Sequence, residues 1–289
     1  MRRTPAELLA SWLRRQLPSP AVAWLEQTIA NLREANSDRP LYLALGSVAR
    51  RLGKEPLQLQ AIDVSEAEAA RHGWRPQHWS TDAAARVLLL LSDEVAPERF
   101  AARLDIVCKA AEMRELIAYY QGLPLYPDPA RLVSLAADGI RTNMAAVFSA
   151  IAHDNPYPAE FFAELQWNQM VLKALFIGVP LHPIKGLDAR ANGQLARMLI
   201  DYARERTAAH RPVSPELWRC VGRFLDEKTL DDVVPRLASD NIWEQRAAAL
   251  ALRDCPLPEA AILLERTPAL VAELKAGTLS WDTFEPPLP

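Results

Sequence analysis

The stretch of sequence that decides the fold runs from Asp138 to Ala209 and reads DGIRTNMAAVFSAIAHDNPYPAEFFAELQWNQMVLKALFIGVPLHPIKGLDARANGQLARMLIDYARERTAA. Its apolar residues recur with the period of an amphipathic helix. This pattern predicts helical segments over Ala130–His153, Glu164–Ile177 and Asp188–Ala209, with Asp188 as the N-cap of the third segment. Polar and charged residues stand among the apolar ones, so the same stretch is also where we look for a site.

The rest of the chain has helical periodicity as well. Glycine is scarce, with 10 residues in 289, and most of the 23 prolines fall between the periodic segments or in their first turns. Proline at such positions separates helices rather than breaking them. Ile242–Arg253 reads IWEQRAAALALR and resembles the second helix of a HEAT-type repeat, where small residues let paired helices approach closely. The sequence predicts an all-α fold, an irregular HEAT-like stack of antiparallel helices.

The organisation into domains follows from the absence of an obvious linker. No Gly/Ser-rich or charged segment divides the chain, so we expect a single domain over residues 1–289. The alternative is a seam at Gly122–Pro129 (GLPLYPDP), between an N-terminal helical half and the rest. The longest aliphatic run, Val87–Leu91, is too short to cross a bilayer. We therefore expect a cytoplasmic protein without a transmembrane segment, and peripheral membrane association is left open.

Charge and cysteine usage exclude several classes of partner and site. The net charge is −3, so nucleic acid is not expected as a partner, because phosphate binding needs a concentrated basic surface. Cys108, Cys220 and Cys255 are far apart and form no C-x-x-C pair, which favours buried, reduced thiols. Neither a metal site nor a cofactor is expected.

The segment Glu164–Ile177 is apolar around most of its circumference, which is the pattern of a buried helix. Asn168 falls on an apolar face, while Gln169 and Lys173 belong to one narrow polar stripe. An unpaired buried amide costs about 1–3 kcal/mol, so Asn168 either caps a neighbouring helix or loop, or lines a ligand pocket. Lys173 is a solvated side chain if exposed and a candidate base or nucleophile if buried.

Further polar candidates flank this segment on its N-terminal side. Arg141 can pair with Asp138 at i,i+3, and Asn143 lies beside an apolar arc. The elbow Asn155–Pro158 predicts an extended, polyproline-like path, because a residue before proline is disfavoured in the helical region. This elbow would hold the hydroxyl group of Tyr157 at a defined place.

On the third segment, Arg190 and Arg197 belong either to a salt-bridged surface or to a clamp for a phosphate or carboxylate. No G-x-S-x-G, P-loop or Rossmann glycine pattern is present, so the catalytic residues are unknown. The candidate ligand-binding residues are Arg141, Asn143, His153, Asn155, Tyr157, Asn168, Gln169, Lys173, Asp188, Arg190 and Arg197.

The segments NPYPAEFF, WNQMVLKALFIGVPL, GLDARANGQLARMLIDYARER and VSPELWRCVGRF together resemble the EboA family of bacterial proteins. The resemblance is most specific across Asp138–Phe224. Members of the family are encoded with a UbiA-like prenyltransferase, a TatD-like hydrolase and proteins similar to sugar isomerases, dehydroquinate synthase and alkaline phosphatases. The resemblance therefore implies a secondary-metabolism pathway that makes or moves a small, prenylated or cyclitol-like metabolite. It carries over no catalytic residue.

Three hypotheses about function follow. The first is a protein that binds a pathway metabolite or a partner protein in a groove around the central helices. The second is an enzyme of the same pathway, with a site built on Lys173, Arg141 and Asn168 together with His153 and Tyr157. The third is a helical-repeat scaffold for protein partners.

Overall fold

A computed structural model describes residues 3–93 and 95–287 of the chain. These residues form fifteen α-helices and several short 3₁₀ segments, with no β-strand. An isolated antiparallel bridge joins Pro56 to Ser80. The prediction of an all-α fold is confirmed, whereas the HEAT-like stacking stays a prediction. Within the described residues, no helix is both long and apolar enough to cross a membrane.

The chain divides into two compact units, Met1–Phe162 and Ala163–Pro289. The seam expected at Gly122–Pro129 lies inside the first unit. The expectation of one continuous domain stays a prediction.

The first unit contains ten α-helices, and α5 forms its centre. Every residue of α5 from Thr81 to Leu90 is buried, and the helix packs against α1, α3 and α7. The helices are α1 (Pro5–Gln16), α2 (Ser19–Glu34), α3 (Arg39–Leu52), α4 (Ala61–Ala70), α5 (Thr81–Leu91), α6 (Pro97–Ala110), α7 (Met113–Gln121), α8 (Val133–Gly139), α9 (Ala145–Ala152) and α10 (Tyr157–Phe161).

The second unit is built around α13, whose residues from Ala247 to Leu252 are all buried. Its α-helices are α11 (Glu164–Phe176), α12 (Gly193–Ala208), α13 (Ile242–Asp254), α14 (Pro258–Glu265) and α15 (Pro268–Lys275). A Cβ atom added to Gly222 would lie only 2.8 Å from the carbonyl oxygen of Ala251. The backbones therefore touch at this point, and the small residues of α13 permit the close approach that its alanine-rich sequence indicated.

The segment Ala130–His153 is not one continuous helix, which corrects the first expectation. Helices α8 and α9 are separated by residues 140–144. In this break, the hydroxyl oxygen of Thr142 accepts a hydrogen bond of 3.1 Å from the backbone N–H of Met144. Such a local side-chain bond competes with the helical hydrogen bond, so the chain turns here.

The elbow Asn155–Pro158 also differs from the extended path that was predicted. Pro156 has helical dihedral angles (φ −73°, ψ −13°), and α10 begins at the next residue. The side-chain oxygen of Asn155 accepts the N–H of Tyr157 at 3.0 Å, which closes a tight turn. Pro158 follows in the first helical turn, where a missing N–H carries no penalty.

The third segment begins later than its sequence suggested, because Asn192 and not Asp188 is the N-cap. The side-chain oxygen of Asn192 accepts the N–H of Leu195 at 2.8 Å, and α12 starts at Gly193. Asp188 instead forms a bidentate ion pair with Arg219, with N–O distances of 2.7 and 2.6 Å.

We expect the substitution Gly222→Ala to lower the free energy of unfolding by about 1–3 kcal/mol, because the new methyl group would overlap the backbone at Ala251. Urea denaturation of the purified chain measures this change. Gly46→Ala is the matched control, since Gly46 lies inside α3 and a Cβ atom there meets nothing within 4 Å. The control should raise stability slightly. Equal effects at the two positions would contradict the close approach.

Candidate functional site

The second unit contains a largely apolar cavity with a volume of about 360 Å³. It lies beside the C-terminal end of α11, the C-terminal half of α12 and the start of α13. The cavity is lined by Leu175, Gly178, Val179, Pro180, Tyr202, Arg206, Pro212, Val213, Ser214, Pro215, Glu216, Asn241, Trp243, Glu244, Pro286 and Pro287. This composition, an apolar lining with a few polar groups, is typical of a small-molecule pocket.

One side of the cavity is held in place by Tyr202 and Arg206 on α12. The hydroxyl group of Tyr202 donates a hydrogen bond of 3.3 Å to the carbonyl oxygen of Leu175. Arg206 Nε donates to the carbonyl oxygen of Pro212 at 2.7 Å, and its guanidinium lies 5.7 Å from the centre of the Tyr202 ring. These contacts connect α12 to the end of α11 and to the proline-rich segment. They fix the positions of Tyr202 and Arg206, which form a polar rim of the cavity.

Glu216 is a buried carboxylate in the wall of this cavity. Its two oxygen atoms accept the backbone N–H groups of Leu181 and His182 at 2.9 and 2.7 Å. His182 Nδ1 lies 3.0 Å from Glu216 Oε1. Hydrogen bonds to a charged acceptor are stronger than neutral ones, which offsets the cost of burying the carboxylate. Glu216 therefore fastens the loop after α11 to the 3₁₀ segment that carries Glu216.

The C-terminal residues form another wall. Phe284 is buried and packs edge-on against Trp243 and Trp281, with ring centres 5.5 and 5.3 Å apart. Trp281 Nε1 donates to Asp254 at 2.7 Å. This aromatic cluster anchors the chain immediately before Pro286, which lines the cavity.

Asn168, the residue singled out on α11, is fully buried and hydrogen-bonded. Its side-chain amide exchanges two hydrogen bonds with that of Asn192, at 3.2 and 2.8 Å. Asn192 also donates to the carbonyl oxygen of Arg190 at 3.1 Å. The Asn168 amide therefore does not cap a helix itself, but is hydrogen-bonded to Asn192, the residue that caps α12.

The two other charged candidates near α11 lie against aromatic rings. The guanidinium of Arg190 lies 4.7 Å from the centre of the Trp167 ring, and burial lowers the pKa of Arg190. Lys173 is half-buried, with its Nζ 5.3 Å from the centre of the Phe176 ring. Both contacts are cation–π arrangements. The remaining polar candidates in this part of the chain are exposed, namely Gln169 and Arg197.

Asp188 is a carboxylate tied to a half-buried arginine. Burial raises the pKa of Asp188, but the hydrogen bonds and charge of Arg219 outweigh this effect and leave the pKa below its usual value. Arg219 also donates to the carbonyl oxygen of Trp281 at 3.0 Å. The pair therefore connects the turn before α12 to the C-terminal residues.

In the first unit, two of the candidates are buried and hydrogen-bonded. Asn155 Nδ2 donates to the carbonyl oxygens of Tyr120 and Ala150, both at 3.1 Å. The hydroxyl group of Tyr157 donates to the carbonyl oxygen of Pro129 at 2.6 Å, and burial raises the pKa of Tyr157. Both side chains hold the elbow in place.

The other candidates in the first unit reach solvent. Arg141 is exposed and pairs with Asp138 at 2.7 Å, as its i,i+3 spacing indicated. Asn143 is exposed as well, and His153 is half-buried. Among the described residues, no group of three His, Cys, Asp or Glu side chains is arranged to hold a metal ion.

None of the candidate residues chosen from the sequence lines the 360 Å³ cavity. Their role in ligand binding stays a prediction. Sequence reasoning missed the cavity because its walls come from separate segments, from Leu175 to Pro287. One signal was present, since Glu216 stands between Pro215 and the apolar pair Leu217 and Trp218.

We expect Asn168→Ala to lower the free energy of unfolding by about 1–3 kcal/mol, because it removes a buried hydrogen-bond partner of the α12 cap. Gln169→Ala, at the exposed neighbouring position, should change stability by less than about 0.5 kcal/mol. Chemical denaturation of the three proteins gives the comparison. Similar losses in the free energy of unfolding at both positions would contradict a stabilising role for the Asn168–Asn192 hydrogen bonds.

The ion pair of Asp188 predicts a pH dependence of stability. Because the folded-state pKa of Asp188 is lowered, its contribution is present above the unfolded-state pKa and is lost as the pH falls through the folded-state value. Asp188→Asn should therefore destabilise the protein at pH 7, and the gap to wild type should narrow at pH 3. Thermal unfolding at both pH values measures this. A gap that is constant with pH would contradict the prediction.

Comparison with known proteins gives one family. No curated protein and no solved structure matches the chain significantly. The sequence model of the family described as metabolite traffic protein EboA matches residues 5–222. The match covers most of the chain and includes α11, α12 and the wall of the cavity as far as Glu216. The chain belongs to the EboA family of metabolite traffic proteins.

Proposed function

We propose that the protein binds a small, largely apolar metabolite in the 360 Å³ cavity and acts as its carrier in a metabolite-traffic pathway. The observation that carries this proposal is the apolar cavity with a polar rim held by hydrogen bonds. Its volume lies within the usual range for small-molecule sites. The family described as metabolite traffic proteins supports the same conclusion.

The chemistry of the lining favours one kind of metabolite. Leu175, Val179 and Val213 are buried around the cavity, and five prolines and the Trp243 ring add further apolar surface. A prenylated compound would bury its hydrocarbon chain against these groups, while a cyclitol would leave its hydroxyl groups without enough partners. We therefore favour a prenylated metabolite over a cyclitol-like one.

Polar side chains in the wall of the cavity are already hydrogen-bonded within the protein, which favours a carrier over an enzyme. Both oxygen atoms of Glu216 accept backbone hydrogen bonds, and the Tyr202 hydroxyl is bonded to a carbonyl group. The enzyme alternative rests on Lys173, Arg141 and Asn168. It has less support, because the Asn168 amide is bonded to Asn192, and Arg141 is an exposed partner of Asp138. The scaffold alternative for protein partners stays a prediction.

A cavity-filling variant tests the proposal. Ser214 lines the cavity and its side chain makes no cap hydrogen bond, so Ser214→Trp should fill the space without removing a structural contact. We expect wild type to bind farnesol in isothermal titration calorimetry, and Ser214→Trp to bind it at least roughly tenfold more weakly, since the volume is occupied.

Ser37→Trp is the matched control, because Ser37 is exposed in the first unit. For native mass spectrometry, each protein is co-expressed with the pathway proteins with which the family is encoded. Wild type and Ser37→Trp should retain a bound small molecule, and Ser214→Trp should not. Wild-type protein that carries no mass and binds no farnesol would refute the proposal. So would equal binding by Ser214→Trp, provided that its circular dichroism matches wild type.

A further inference from the structure

The first unit contains a second cavity, with a volume of about 420 Å³ and a different chemistry. It lies between the chain after α3, the residues that lead into α5, and one face of α7. Its lining consists of Lys54, Pro56, Gln77, His78, Trp79, Ser80, Ala83, Arg114, Ile117 and Gln121. Six of these ten residues have polar side chains, so this cavity is more polar than the one in the second unit.

The ionisable side chains that line this cavity are all basic. They are Lys54, His78 and Arg114, and no carboxylate is among the lining residues. The whole chain carries a net charge of −3, so the charge of the cavity lining is opposite in sign to that of the chain. A concave surface lined by one sign of charge concentrates ions of the opposite sign.

Asp82 stands between the lining residues Ser80 and Ala83 and is paired with arginines. Asp82 is buried and accepts hydrogen bonds from Ser80 at 2.5 Å, from Arg86 at 2.7 Å and from Arg114 at 3.2 Å. Arg86 also pairs with Glu115 at 3.3 Å, so the two arginines and the two carboxylates of this cluster balance in charge. The side chain of Arg114 is still 47% exposed, so its guanidinium is oriented by Asp82 and remains accessible from the cavity.

The N-terminal end of α5 adds to the positive potential. Ser80 and Ala83, from its cap and first turn, line the cavity. The Ser80 side chain makes no cap hydrogen bond, while the N–H of Thr81 donates to the carbonyl oxygen of Glu55 at 2.8 Å. The N-terminus of a helix carries a partial positive charge that favours anions.

We propose that this cavity binds the phosphate group of a small, hydroxylated phosphomonoester. A doubly charged phosphate matches several cations better than a single carboxylate does, and guanidinium and ammonium groups are its usual partners. Gln77 and Gln121 supply neutral amides that can bond to hydroxyl groups. This inference is independent of the apolar cavity and names a second ligand class for the protein.

Isothermal titration calorimetry of the full chain with glycerol 3-phosphate tests the proposal. We expect wild type to bind glycerol 3-phosphate and not to bind glycerol. The affinity should fall as salt is added. Lys54→Gln should weaken binding roughly tenfold, because one charge-assisted contact is lost. Lys54 is exposed and lies outside the helices, so the variant is expected to fold.

Lys109→Gln is the matched control, because Lys109 is exposed on α6 outside the cavity. It should bind like wild type. Phosphatidic acid vesicles form a parallel arm. Vesicle binding that is lost in Lys54→Gln would support the phosphate site and assign a lipid headgroup as its source. Equal binding by wild type and Lys54→Gln, equal binding of glycerol and its phosphate, or no binding in either arm would overturn the proposal.

Discussion

The architecture around the apolar cavity depends on one buried carboxylate. Glu216 comes from a 3₁₀ segment and accepts the backbone N–H groups of Leu181 and His182, which follow α11. Without this acceptor, those N–H groups would lose their hydrogen-bond partner. The loop would also lose its polar attachment to the 3₁₀ segment. Glu216 therefore holds the loop of Leu181 and His182 in the wall, while Tyr202 and Arg206 hold the α12 side of the cavity.

The requirement that buried polar groups have hydrogen-bond partners also explains the polar residues that the sequence places on apolar faces. Asn155 and Asn168 are both buried, and both bond to backbone or amide groups of a neighbouring segment. Asp82 does the same for two arginines in the first unit. A buried polar group is tolerated when its hydrogen bonds are satisfied, so each of these residues also fixes the position of the segment that it contacts.

The sequence allowed prediction of what depends on local periodicity. The all-α class follows from the spacing of apolar residues alone, and it is present. The choice of Asp188 as a cap failed because a distant residue, Arg219, binds that carboxylate and leaves Asn192 to cap α12. The cavities could not be predicted for a related reason, since each is formed by segments far apart in sequence.

The C-terminal wall of the apolar cavity has a consequence for how such proteins diverge. Pro286 and Pro287 line the cavity, yet they lie outside the residues 5–222 that match the family. Selection can therefore alter one wall by substitutions in a short terminal segment while the matched helices keep their sequence. Two relatives with nearly identical central helices could in this way differ in the length of this cavity.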